Sequence, residues 1–145
     1  MNAPRATLYT SAVLAAATGL AAFPWDDALP LKGEARSRTC GSTLAIGLEL
    51  DGQGAITRLG VRAHACAIGQ AAACAFARGA TGATLADLCR TRDALEQWLD
   101  GEGGLPEWPG LDVIAPARDY PSRHGAIVLA WDAALAALGN GSSET

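Results

Sequence analysis

The feature that most constrains this chain is a change of hydrophobic period at Cys66. Before it, Leu44, Ile46, Leu48 and Leu50 alternate with Thr43, Ala45, Gly47 and Glu49, the two-residue period of a half-buried strand. Asp51-Gly52-Gln53-Gly54 supplies residues that tolerate positive φ and reads as a turn. Ala55 to Ala63 then returns as a second strand with Leu59, Val61 and Ala63 on one face. Ile56 is out of phase with those three, which predicts a bulge near Thr57. The two runs make an antiparallel hairpin. From Ala67 to Arg78 the sequence is rich in Ala and free of Pro, so it is expected to be helical, with Gly79 as its C-terminal cap.

The flanks extend this pattern. Tyr9, Val13, Ala16, Leu20 and Phe23 recur at helical spacing, and Pro24 ends that helix. Arg5 followed by Ala12 to Ala22 also has a faint signal-peptide look, but the helical periodicity accounts for it better. Lys32 to Ser37 reads as a short edge strand. Thr84 with Asp87 resembles a capping box opening a helical turn, and Leu95, Trp98 and Leu99 mark a helix from about Arg92 to Asp100. Gly101 to Gly110, with its glycines and prolines, is a loop. Ile127, Trp131, Ala134, Leu135 and Leu138 define a last amphipathic helix, and the polar residues 139–145 read as a flexible tail. The expectation is an α+β fold, a small antiparallel β-sheet of about three strands packed against several α-helices, in a single domain over residues 1–145.

Charge and cysteine usage narrow the function. The chain has a formal net charge of −4 with Lys and Arg scattered, which argues against nucleic-acid binding. Its apolar N-terminal stretch falls short of the about 20 residues that span a bilayer, so no membrane association is expected. Cys40, Cys66, Cys74 and Cys89 form no C-x-x-C pair, and the chain is larger than typical disulfide scaffolds. Free thiols in a reducing, cytoplasmic compartment are the simpler reading.

Two of those thiols point to chemistry. Cys40 precedes the first hairpin strand, and Cys66 follows the second at the start of a helix. An antiparallel hairpin brings its outer ends together. A helix start offers free N–H groups and partial positive charge, which favour the thiolate that binds metal or attacks sulfur. Cysteine is also among the most buried residue types, so plain packing is the competing reading.

Cys40-Gly41-Ser42-Thr43-Leu44, the Asp51-Gly52 turn, and Ala65-Cys66-Ala67-Ile68 with the small residues running to Ala73 together resemble the U-type iron–sulfur cluster assembly scaffold family of IscU, SufU and the NifU N-terminal domain. Arg78-Gly79, Thr84-Leu85-Ala86-Asp87 and Leu129-Ala130-Trp131-Asp132-Ala133 are similar to its later segments, so the resemblance runs from about Leu8 to Leu138. It implies a scaffold or carrier rather than an enzyme. Such a protein builds an iron–sulfur cluster, typically [2Fe-2S], from iron and from sulfur supplied by a cysteine desulfurase, and passes it to recipient apo-proteins. Some relatives bind zinc and act as sulfurtransferases. On this resemblance Cys40 and Cys66 are the ligand or persulfide-acceptor positions.

The chain departs from the family at two points. The family's acidic residue after Cys-Gly is Ser42, a poorer metal ligand, and its third cysteine is Ala126. The chaperone-recognition stretch of one branch has no clear match near Val113 to Arg118. His124 lies near the missing cysteine and is a candidate replacement ligand, with a solvent-exposed histidine at a helix start as the alternative. His64, two residues before Cys66, is either near the site or an ordinary polar strand residue. Cys74 lies eight residues beyond Cys66, about 12 Å of helix rise, and is excluded from a shared site. Cys89 follows Leu85 and Leu88 and is expected in the core. Three functions remain: a cluster scaffold, with a homodimer sharing one cluster to complete the usual four ligands; a zinc-binding sulfurtransferase; or a metal-free interaction protein.

Overall fold

The computed structural model describes residues 10–38 and 41–139. Its sheet has three antiparallel strands in the order β1 (Leu31–Arg36), β2 (Thr43–Leu50), β3 (Ile56–His64). The α-helices are α1 (Ser11–Gly19), α2 (Ala67–Ala80), α3 (Leu85–Leu99) and α4 (His124–Gly139). Short 3-10 turns at Leu20–Ala22 and Pro121–Arg123 and a longer one over Leu111–Asp119 complete the chain. The α+β expectation holds. Among the described residues no helix is long and apolar enough to cross a membrane.

The hairpin forms as its alternation requires. Leu44, Ile46 and Leu48 are buried and pair with Ala63, Val61 and Leu59. The pairing jumps from Glu49↔Arg58 to Leu50↔Ile56, so Thr57 is the extra residue. That bulge returns Ile56 to the inner face, where it is buried. The inner face packs against α4, which lies over β1 and β2, while α2 packs against α4, β3 and α1. The approach of α4 to β1 is close enough that a Cβ on Gly33 would strike the backbone of Ala133 and Ala137.

Two expectations about the helices change. Gly79 is inside α2 rather than capping it: a Cβ there would stand 2.5 Å from Trp108 Nε1, and the residue at positive φ beyond the helix is Gly82. The capping turn at Thr84 and the helix expected from Arg92 are one continuous helix, Leu85–Leu99, opened by the full Thr84–Asp87 capping box. Leu111–Asp119 forms a 3-10 turn that periodicity did not indicate, since Pro116 interrupts any helical pattern. Of the expected first helix, Tyr9 lies outside the described residues, as does the tail beyond Gly139.

The far end of α2 carries an aromatic cluster. Phe76 stacks on Trp108 with centroids 5.7 Å apart, and Trp131 meets both edge-on at 5.1 and 5.3 Å. Trp108 Nε1 donates to the Ala75 carbonyl at 2.8 Å, joining the 101–110 loop to the helix.

Candidate functional site at the strand ends

The pairing Thr43↔His64 closes the hairpin ladder, so Ser42 and Ala65 leave the sheet side by side. On the β1 side, Ser37 N donates to Ser42 O at 2.8 Å and Gly41 N donates to Ser37 O at 3.1 Å. The chain thus turns tightly between β1 and β2, with Gly41 at φ 71°. Ser42 is only 4% exposed. Cys40 lies outside the described residues.

Across the ladder end, Cys66 is the residue that opens α2. Its backbone is extended (φ −66°, ψ 170°), it is half-buried, and its side chain makes no capping hydrogen bond. The Cys66 carbonyl accepts from Gln70 N at 2.9 Å, and Gln70 Nε2 donates to the Ala65 carbonyl at 2.8 Å. These bonds fix the backbone on both sides of the thiol and leave its sulfur uncommitted. The first turn of α2 holds no acidic residue to oppose a negative charge at its N-terminus.

The first turn of α4 meets this same place. A Cβ built on Gly69 would lie 2.9 Å from the Ala65 Cβ and 3.2 Å from the Ala126 Cβ. Ala126 is 1% exposed. Ala126 therefore sits on the seam between α2 and α4 beside Gly69, which lies one helical turn along α2 from Cys66. His124 is half-buried rather than solvent-exposed, and its Nε2 lies 2.7 Å from the Arg118 carbonyl. A carbonyl only accepts, so Nε2 carries the proton, and Nδ1 is left as the acceptor of the neutral ring.

His64 is exposed at the end of β3, paired with Thr43 on the outer face at the same strand end. The remaining cysteines lie elsewhere. Cys74 is buried on α2 beside Gly19 and Arg78; burial pushes its thiol pKa up, against the pull of Arg78. Cys89 is exposed, which corrects its expected core placement. It follows Leu85 by one helical turn on an outward stripe, whereas Leu88 and Leu95 face inward. Among the described residues no three His, Cys, Asp or Glu side chains gather as a metal site.

One feature escaped the sequence reading. The outer face of the sheet carries a groove floored by the small residues Thr43 and Ala45 of β2. Glu34 and Arg36 of β1 and Arg62 and His64 of β3 share that face, because they pair across with Ala45 and Thr43. The Lys32-Glu34-Arg36 alternation signalled an outward face, but the cross-strand register that sets those residues against Arg62 is visible only in three dimensions.

The sequence matches no protein-family model and no curated protein. Solved structures match it well. The N-terminal part of a nitrogen-fixing NifU-like protein from Brucella abortus is 28% identical, with 94% of this chain and 95% of that one covered at a TM-score of 0.84. A protein from Fervidobacterium islandicum AW-1, described as an iron–sulfur cluster assembly scaffold for the SUF system, shares the fold at 21% identity, with 90% and 96% covered and a TM-score of 0.74. The chain thus shares the fold of a NifU-like N-terminal domain and of a SUF-system scaffold protein, and the likeness spans nearly all of its length.

Proposed function

We propose that this protein is an iron–sulfur scaffold-like carrier whose chemistry takes place at the N-terminus of α2, with Cys66 and Cys40 as its sulfur ligands. The observation that carries the reading is the uncommitted Cys66 thiol at a helix start, beside the open end of the hairpin, in a fold shared with NifU-like and SUF-system proteins. A [2Fe-2S] cargo takes four ligands. Two chains contributing Cys40 and Cys66 each would supply them, so the loaded form is expected to be a homodimer. Its partners would be a cysteine desulfurase and recipient apo-proteins, in a cytoplasmic setting. Ser42 and His124 are the auxiliary donors to test. Reconstitution with iron and sulfide without oxygen should load wild-type protein and fail for Cys66→Ser. Equal iron and acid-labile sulfide in both would contradict the assignment.

A second reading, sulfur transfer with or without bound zinc, is favoured by Ala126. A persulfide needs one thiolate, not a full ligand set. The Cys66 thiolate would attack the outer sulfur of a desulfurase persulfide, forming a new S–S bond as the desulfurase thiolate leaves with the electron pair of the broken one. Intact mass after incubation with a desulfurase and cysteine should rise by one sulfur on Cys66 or Cys40. No gain on either thiol would leave the metal-free interaction role, which predicts that partner binding survives replacing both cysteines with Ser.

A further inference from the structure

In a chain of net charge −4, three arginines away from the site are neutralised by neighbours, although the exposed Arg78 forms no ion pair among the described residues. Arg58 pairs with Asp26 and Glu49, Arg90 with Asp87, and Arg92 with Glu96 and Asp132. At the site end the pattern reverses. Arg36, Arg38 and Arg62 are exposed and form no ion pair among the described residues. Arg62 is held over the Trp25 ring, its guanidinium carbon 4.3 Å from the centroid, a contact that fixes the side chain without cancelling its charge. Lys32 Nζ donates to the Asp27 carbonyl, so its charge also stays open. Against these four cations stand the carboxylates of Glu34 and of Asp27, the latter bonded to Trp25 Nε1.

Arg36, Arg62, Lys32 and Glu34 line two adjoining depressions that share Glu34. One, about 320 Å³, is bounded by Glu34, Ala35, Arg36 and Thr43. The next, about 310 Å³, is bounded by Trp25, Lys32, Glu34, Ala45 and Arg62. The Arg36–Thr43–His64 row and the Glu34–Ala45–Arg62 row are two residues apart along β2, about 7 Å, and Arg36 on β1 and Arg62 on β3 are also two strands apart, about 10 Å across the sheet.

We propose that this groove is a docking site for an extended acidic segment of a partner protein, with carboxylates on its sheet-facing side meeting Arg36 and Arg62. The small floor admits a peptide backbone, and the arginines offer forked donors matched to carboxylates. One end of the groove opens at Thr43 and His64, beside Ser42 and Ala65, so a bound segment brings its parent protein to the Cys66 end of the fold. That this parent exchanges sulfur or clusters rests on the proposed function; the docking itself does not.

The test uses metal-free full-length protein and a fluorescein-labelled peptide alternating Glu with Ala, read by polarisation at low ionic strength. Saturable binding is expected, weakened about ten-fold or more by Arg36→Glu or Arg62→Glu and unchanged by Arg90→Glu at the other end of the molecule. Lys32→Glu, on the same groove, serves as the substitute if Arg62→Glu lowers the melting temperature. No saturable binding, or equal loss with Arg90→Glu, overturns the proposal. So does displacement of the peptide by inorganic phosphate at concentrations where chloride of equal ionic strength has no effect, since that marks a small-anion site. Because no iron or sulfide is present, these outcomes are independent of cluster loading.

Discussion

The two ends of α2 are built on opposite principles. At its C-terminal end Phe76 packs with Trp108 and Trp131, and the Trp108 indole is bonded to the helix backbone. At its N-terminal end the contacts are methyl groups and glycine: Ala65, Gly69 and Ala126 around a half-buried thiol. Large rings at one end supply dispersion and apolar burial. Small groups at the other leave the backbone firmly held by Gln70 and the sulfur accessible. On the proposed function, stability and chemistry would be separated by the length of one helix, and substitutions at the two ends should act on different observables.

The largest effect on stability is expected from the aromatic end. Trp131→Ala should cost about 3–5 kcal/mol in urea unfolding, because a fully buried ring leaves a cavity. A loss under about 1 kcal/mol would show that the cluster is not what anchors the helix. Gly79→Ala is next. Its new Cβ would meet Trp108 Nε1 at 2.5 Å and push that indole off the Ala75 carbonyl, for about 1–3 kcal/mol. If it is instead neutral, the 101–110 loop yields freely and the comparison weakens.

At the other end, Ala126→Cys should act mainly on loading. It places a thiol on the seam beside Gly69 and should slow the removal of iron from reconstituted protein by a chelator, with a melting temperature close to wild type. Unchanged iron loss would mean that this seam does not face the ligand set. The smallest effect lies away from both ends of α2, at the start of α3. Asp87 accepts from Thr84 N and Oγ1 and pairs with Arg90, which holds its carboxyl pKa below the usual value. A lowered folded-state pKa contributes stability above the ordinary carboxylate value of about 4, lost as pH falls through the folded value. Asp87→Asn should therefore flatten the decline of melting temperature below about pH 4 and leave Cys66 chemistry untouched.

How much of this was legible in the sequence follows from the range of the interactions involved. β2 was readable residue by residue because its alternation is a local consequence of one buried face, and the out-of-phase Ile56 announced the bulge at Thr57. The Thr84–Asp87 box was equally local. Gly79 misled because glycine after an Ala-rich run is a common helix stop, whereas here its missing side chain makes room for an indole from a distant loop. Cys89 misled because neighbouring leucines were taken as one face, although Leu85 is 46% exposed and Leu88 is buried. For the site, the resemblance supplied Cys40, Cys66 and the substituted positions Ser42 and Ala126. The seating of Arg62 over Trp25 and the register that puts Arg36 and Arg62 on one face depend on residues far apart in the chain, and no spacing rule carries them.

The most direct test of the separation between the two ends is native mass spectrometry of protein reconstituted with iron and sulfide, wild type beside Cys66→Ser, with melting temperature taken on the same unloaded samples. The account predicts a wild-type dimer carrying iron and sulfide, and a Cys66→Ser protein that melts as wild type does yet carries neither. A Cys66→Ser protein that retains the same iron and sulfide mass would contradict the placement of the chemistry at the start of α2.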